Sequence, residues 1–234
     1  GAQIATQVVA KSPADGYNIL LAEAGSVSIA PAAFSKLPYD PVKELTGVAE
    51  LAWADFVLVV PANSPYKTLA EMVNANKSNG NVLNFGTFGA GSPGHFGAVE
   101  FGMQANVKVE PIHFRSTGDA VTAIVSGDVA GAWVSTAVAS AQVKGGKMRA
   151  LAITSAKRSP LLPNVPTLEE SGIKDANVYS WQGVAAPKGL PADLKAKLHA
   201  AIVDGLKDPK LKTKLLEQGF EIVANTPEQF TAFQ

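Results

Sequence analysis

Residues 84–95 read NFGTFGAGSPGH and crowd chemistry-bearing groups into one short stretch: glycines at 86, 89, 91 and 94, hydroxyls at Thr87 and Ser92, and the imidazole of His95. Three chemistries match in outline. Gly89, Gly91 and Gly94 satisfy G-x-G-x-x-G, the turn that brings backbone N–H groups against a pyrophosphate, and Glu110 lies about twenty residues on, where a ribose-binding acid belongs. Against this, Thr87 and Phe88 separate the preceding strand pattern from Gly89, Pro93 sits inside the turn, and about eighty residues precede a fingerprint that usually opens its domain. Ser92 also stands close to a G-x-S-x-G nucleophile elbow, but Ala90 replaces the first glycine and Pro93 follows the serine. Proline has no N–H to offer an oxyanion hole. A Walker A loop fails in the same way, with His95 where lysine must reach the phosphates and Phe96 where a hydroxyl must hold magnesium.

The common physical content is a glycine-rich loop feeding a helix start, with Ser92 suited to the N-cap and Pro93 to the first turn. Such a helix end presents unpaired N–H groups and about half a positive charge, so it attracts anions without lysine or arginine. Two readings stay open on the local sequence: an anion cradle, and an ordinary capped helix after a glycine turn.

The elements that must position this loop follow from apolar spacing and turn residues. Helices are predicted over 2–11, 67–77, 93–105, 118–126 and 137–144, and strands over 17–22, 55–60, 81–86, 107–114, 129–134 and 148–154. Strand and helix alternate, which predicts an α/β chain with parallel sheets flanked by helices. Residues 155–178 carry several prolines and few periodic positions, 181–189 reads as a short strand entering a turn, and Leu194, Leu198, Ile202 and Leu206 recur at helical spacing before a shorter helix near 209–218.

Composition narrows the function classes. The chain has 234 residues, 47% hydrophobic and 17% charged, with twenty basic residues balancing twenty acidic ones. No basic run marks a nucleic-acid or anionic-membrane partner. There is no cysteine and there are three scattered histidines, so disulfides, thiol nucleophiles and thiolate-bound zinc are excluded and no metal or other cofactor is expected. No apolar run reaches the ~18–20 residues that span a bilayer. The chain opens at Gly1 in mid-pattern with no signal peptide, which suggests that its natural N-terminus lies upstream.

From Ala2 to Phe233 the chain resembles the Bug-type solute-binding proteins of the tripartite tricarboxylate transporters (TTT). The resemblance is carried by DGYNILLA with Pro31, KLPYDPVKEL (36–45), GTFGAGSPGH (86–95), the run from GGKMRALAIT to LEESG (145–172), WQGVAAPKGLP (181–191) and TPEQF (226–230). It implies a two-lobed periplasmic-binding-protein type II fold, each lobe a mainly parallel sheet with helices, with lobe 1 from 1–55 and 183–234 and lobe 2 from 56–182. It also implies a periplasmic, monomeric, non-enzymatic receptor that closes over a small organic carboxylate (a dicarboxylate, aromatic acid or amino acid) and delivers it to membrane permease subunits. Family members normally begin with a further strand and a glycine-rich loop, so the chain is expected to be N-terminally truncated.

By position, the family's ligand loops fall on AEAGSV (22–27), GTFGAGSPGH, FRSTGDA (114–120) and VST (134–136). The expected ligand-binding residues are Glu23, Ser26, Thr87, Gly89, Gly91, Ser92, His95, Ser116, Thr117, Gly118, Ser135, Thr136 and, at the presumed crossover, Trp181. His113, within a strand pattern, and His199 on the C-terminal helix are expected to be structural or solvated. Glu23, Val27 and Asp119 depart from the family's usual residues, and the added carboxylates predict a ligand with a cationic or donor group beside its carboxylate. The alternative functions are a nicotinamide-dependent oxidoreductase using the glycine fingerprint and an esterase using Ser92.

Overall fold

Turn and cap residues divide the N-terminal segment into short pieces. The computed structural model, which describes residues 2–174 and 179–233, opens with α1 (Gln3–Ala10) and β1 (Leu20–Glu23). A π-helical turn (Gly25–Ile29) then runs into α2 (Ala30–Ala33). In α3 (Pro41–Glu44) the Asp40 carboxylate accepts from the Val42 and Lys43 N–H groups at 3.1 Å, while Pro41 occupies a position where no N–H is needed. Two compact units result, Gly1–Trp53 with Ser180–Gln234 and Ala54–Tyr179. The chain passes from one to the other within β2 (Leu45–Pro61) and returns near the start of a later strand.

The sequence pattern predicts a strand only over 55–60, yet β2 begins ten residues earlier, at Leu45. Its first half sets Thr46 and Val48 among small residues that allow close packing. A Cβ at Gly47 would stand 2.8 Å from the Phe230 ring, and one at Gly183 only 2.3 Å from it. Glycine is required there by space.

In the second unit, α4 (Leu69–Asn79), β3 (Val82–Thr87), α5 (Pro93–Ala105), β4 (Lys108–His113), α6 (Thr117–Ser126), β5 (Gly131–Ser135), α7 (Thr136–Lys144) and β6 (Met148–Ile153) follow in alternation. β3 is parallel to both β4 and β5, as the alternation predicts. β2, however, runs antiparallel to β5 and β6, between which it lies. No helix connects β2 to β5 as a crossover, so the handedness rule that fixes its neighbours does not act on it. The period-2 alternation of β2 sends Phe56, Leu58 and Val60 into one core with Met72, Phe85, Phe101 and Trp133, and Val57 and Val59 into another with Ile124, Val134, Ala139 and Ile153. Each large fully buried side chain contributes about 1.5–3 kcal/mol of transfer free energy.

The return strand β7 (Tyr179–Pro187) pairs antiparallel with β1 and also lies beside β2. α8 (Ala192–Gly205), α9 (Pro209–Glu217), β8 (Phe220–Ile222) and α10 (Pro227–Phe233) complete it. Leu194, Leu198 and Ile202 of α8 pack on Val48, Val184 and Ala186, the stripe that helical spacing predicts. Among the described residues no helix is long and apolar enough to cross a membrane.

Candidate functional site

In the parallel ladder β4–β3–β5, β3 and β4 end together and β5 runs two residues further in the same direction. Thr87 pairs with His113, and Gly86 with both Ile112 and Ala132, so the carboxyl ends of the three strands form one edge of the second unit. A helix begins after each: α5, α6 and α7. Each is capped by a serine hydroxyl, with Ser92 Oγ accepting from His95 N (3.2 Å), Ser116 Oγ from Asp119 N (3.1 Å) and Ser135 Oγ from Val138 N (3.5 Å). A cap satisfies one of the four orphan N–H groups at a helix start; at α5 Pro93 has no N–H and the Ser92 N–H donates to Gly89 O (3.3 Å), so that start has fewer donors to offer than α6 and α7. Helices of 13, 10 and 9 residues each add about half a positive charge at their ends. The edge is therefore electropositive through its backbone. Arg115, exposed between β4 and α6, is the nearby side-chain cation in sequence.

The loop from β3 to α5 is shaped by two glycines in the left-handed region, Gly89 at φ 112° and Gly91 at φ 76°. A Cβ at Gly89 would meet nothing within 4 Å, so conformation and not space requires glycine there. The Gly91 N–H donates to His95 Nδ1 (3.1 Å), which places the proton of the neutral ring on Nε2. His95 is thus an N–H donor at Nε2, suited to an anion and unsuited to metal ligation through that atom. Burial, with the positive charge of His113 adding to it, holds the His95 pKa below its ordinary value. The two rings meet edge to face with centroids 4.7 Å apart, and His113 Nδ1 lies 2.6 Å from Thr87 Oγ1.

Thr87, Gly89, Gly91, Ser92, His95, Ser116, Gly118 and Ser135 all lie at or just beyond this edge. Thr87 is fully buried, and its hydroxyl meets His113. Thr136 is buried and donates from Oγ1 to Asp55 O (3.1 Å), so its side chain anchors α7 to β2. Gly118 O accepts from Thr122 Oγ1 (3.0 Å), and the Thr117 side chain lies outside what the structure describes. Ser92 Oγ has the role of a helix cap, and His95 Nδ1 engages Gly91 and not the serine. No group of three or more metal-ligating side chains occurs among the described residues.

The remaining predicted residues belong to the first unit. Ser26 is fully buried in the π-helical turn, its hydroxyl 3.4 Å from Glu23 O, while Tyr39 Oη donates to Ser26 O at 2.7 Å. Burial, and then the negative charge of Glu23, raise the Tyr39 pKa. Glu23 is half-buried and makes no ion pair among the described residues. Trp181 is buried, donates from Nε1 to Ser28 Oγ (3.3 Å) and meets the Phe230 ring edge to face at 5.2 Å, so its ring is occupied by packing. His199 Nδ1–H donates to Val48 O at 3.0 Å.

The contacts of His113 with Thr87 and His95 leave no signal in the sequence: its strand was predicted, but which neighbour meets the end of that strand depends on sheet order and register. The π-helical turn also leaves no spacing signal, since its i→i+5 bonds match neither helical nor strand periodicity.

The family model for the receptor of the tripartite tricarboxylate transporters matches residues 1–234. A UPF0065 protein of Pseudomonas sp. strain P51 is 31% identical over 229 residues, which cover 97% of this chain and 68% of that protein. Other relatives of this kind are covered over 64% and 70% of their length, so the chain spans about two thirds of them. Among solved structures, an R. palustris protein with adipate is 26% identical with a TM-score of 0.89, over 99% of this chain and 77% of that one. The periplasmic binding protein BugD is 30% identical with a TM-score of 0.86, over 100% and 78%. MatC of Rhodopseudomonas palustris with bound malate is 29% identical with a TM-score of 0.85, over 100% and 81%.

Proposed function

This chain belongs to the tripartite tricarboxylate transporter receptor family, and on that premise we propose that it is a periplasmic solute receptor. It captures a small organic carboxylate and hands it to the membrane subunits of its transporter. The observation that carries this reading is the shared carboxyl-end edge of β4, β3 and β5, where three serine-capped helices begin. Carboxylate oxygens accept from the helix-end N–H groups, from the glycine loop 89–91 and from His95 Nε2–H. These are preorganised donors, each charge-assisted bond being worth about 1.5–3 kcal/mol. Binding of malate and adipate by structural relatives supports a dicarboxylate as one ligand class.

The protein acts without catalysis and as a monomer. The imidazole nearest to Ser92 in sequence, His95, accepts from Gly91 N–H and not from the serine, and the Ser92 hydroxyl is a helix cap. Glu23, half-buried and without an ion pair among the described residues, favours a ligand that carries a cationic or donor group beside its carboxylate, as an amino acid does. Thermal shift with a panel of dicarboxylates, aromatic acids, amino acids and NAD tests the assignment. Stabilisation by a carboxylate is expected. Stabilisation by NAD alone, or ester hydrolysis lost in Ser92→Ala, would overturn the receptor reading, while tight binding of malate with no amino acid bound would remove the role given to Glu23.

A further inference from the structure

Resting on the carboxylate-receptor reading, we propose that His113 is a specificity-determining residue of the second unit's edge, and that it takes up a proton when a carboxylate binds there. The argument is an asymmetry between two neighbouring imidazoles. His95 Nδ1 accepts from the Gly91 backbone N–H at 3.1 Å, and an amide N–H can only donate. Protonating His95 would therefore set two donors against each other and release the glycine loop. His113 Nδ1 instead faces the Thr87 hydroxyl at 2.6 Å. A hydroxyl donates or accepts by rotating about its C–O bond, so this contact survives either protonation state of His113.

Exposure points the same way. His113 is exposed at the end of β4, whereas His95 is half-buried, and a charge is cheaper where water reaches it. The rings sit 4.7 Å apart, close enough that one positive charge discourages a second. The other ionisable groups around β4 are few. β3 contributes none, α5 adds Glu100, whose carboxylate accepts from Gln104 Nε2 at 2.9 Å, and β4 itself carries Lys108 and Glu110. Arg115 and Asp119 follow β4 on the way into α6 and at its first turn. A carboxylate arriving beside His113 stabilises the imidazolium, so binding draws a proton from solution and affinity rises as pH falls.

The experiment is calorimetric titration of the whole protein with malate, adipate and aspartate between about pH 5.5 and 8, in two buffers of different ionisation enthalpy. One proton taken up gives an affinity that rises by at most about tenfold per unit of falling pH. His113→Gln, which can still bond the Thr87 hydroxyl, should keep binding but flatten this slope and abolish the buffer dependence. His95→Gln should weaken binding at every pH while leaving the slope. Histidine ring NMR supplies a readout without ligand: His113 should protonate first as pH falls, with His95 retaining its proton on Nε2. Binding with no pH slope, a slope that survives His113→Gln, or His95 protonating first would each overturn the proposal while leaving the receptor reading intact. No carboxylate bound at any pH would overturn both.

Discussion

The edge formed by β4, β3 and β5 and the interior around Glu50 are both rich in polar groups, and they direct them oppositely. Glu50 is 1% exposed, and its two carboxylate oxygens accept from Trp53 Nε1 and Asn225 Nδ2 within the first unit. The neighbouring backbone completes the arrangement, with Ala224 N–H donating to Glu50 O at 3.1 Å. Here donors are consumed by an acceptor of the same chain. At the edge of the second unit each cap consumes one N–H, and the other helix-start donors, fewest at α5 where Pro93 has none, meet no protein carboxylate among the described bonds. A carboxylate in a sequence thus means little until its donors are counted: buried and saturated, it fastens a segment to β2, whereas a set of donors without a protein carboxylate calls for one from outside.

Breaking each side of that contrast should give effects of different kinds. The largest is expected for Glu50→Ala, which strands two buried donors and leaves a cavity, and should cost about 2–4 kcal/mol in urea denaturation. Carboxylate affinity of the folded fraction should hardly change. Gly91→Ala forces an alanine to φ 76°, costing about 1–2 kcal/mol. It also moves the loop, so calorimetry should show ligand binding weakened at least about tenfold, or 1.4 kcal/mol. If Glu50→Ala weakened binding more than Gly91→Ala, the distinction between fastening and receiving polar groups would fail.

Ser92→Ala should be milder, removing one N-cap bond worth about 1 kcal/mol and lowering affinity a few-fold by loosening the start of α5. The smallest effect is on pH. The folded-state pKa of His95 is below its unfolded value, so the unfolded chain binds more protons between the two, and stability falls as pH drops through the ordinary histidine range. A urea midpoint followed from pH 8 to 5 should show this decline, and His95→Gln should remove that part of it.

Much of this was legible in the sequence, and the failures share a cause. α5 spans the predicted residues, Pro93–Ala105, because Ser92, Pro93 and Asn106 are local start and stop signals. The glycine loop, the Ser92 cap and the family were likewise visible as motifs. The first half of β2 was not, because Gly47, Glu50 and its alanines are chosen for what packs on them, Phe230 and Asn225, far along the chain. The contacts of His113, expected to be structural or solvated, were hidden for the same reason. Its meaning comes from Thr87 and His95, which only sheet register brings beside it.

The central claim is that the helix starts after β3, β4 and β5 receive the ligand carboxylate, and amide NMR during titration with a stabilising carboxylate tests it residue by residue. The expected result is that shifts cluster at 89–95, 116–119 and 135–137, while the amides of Glu50 and Asn225 stay in place. Saturable binding with those helix starts unmoved, and the shifts confined elsewhere in the chain, would contradict it.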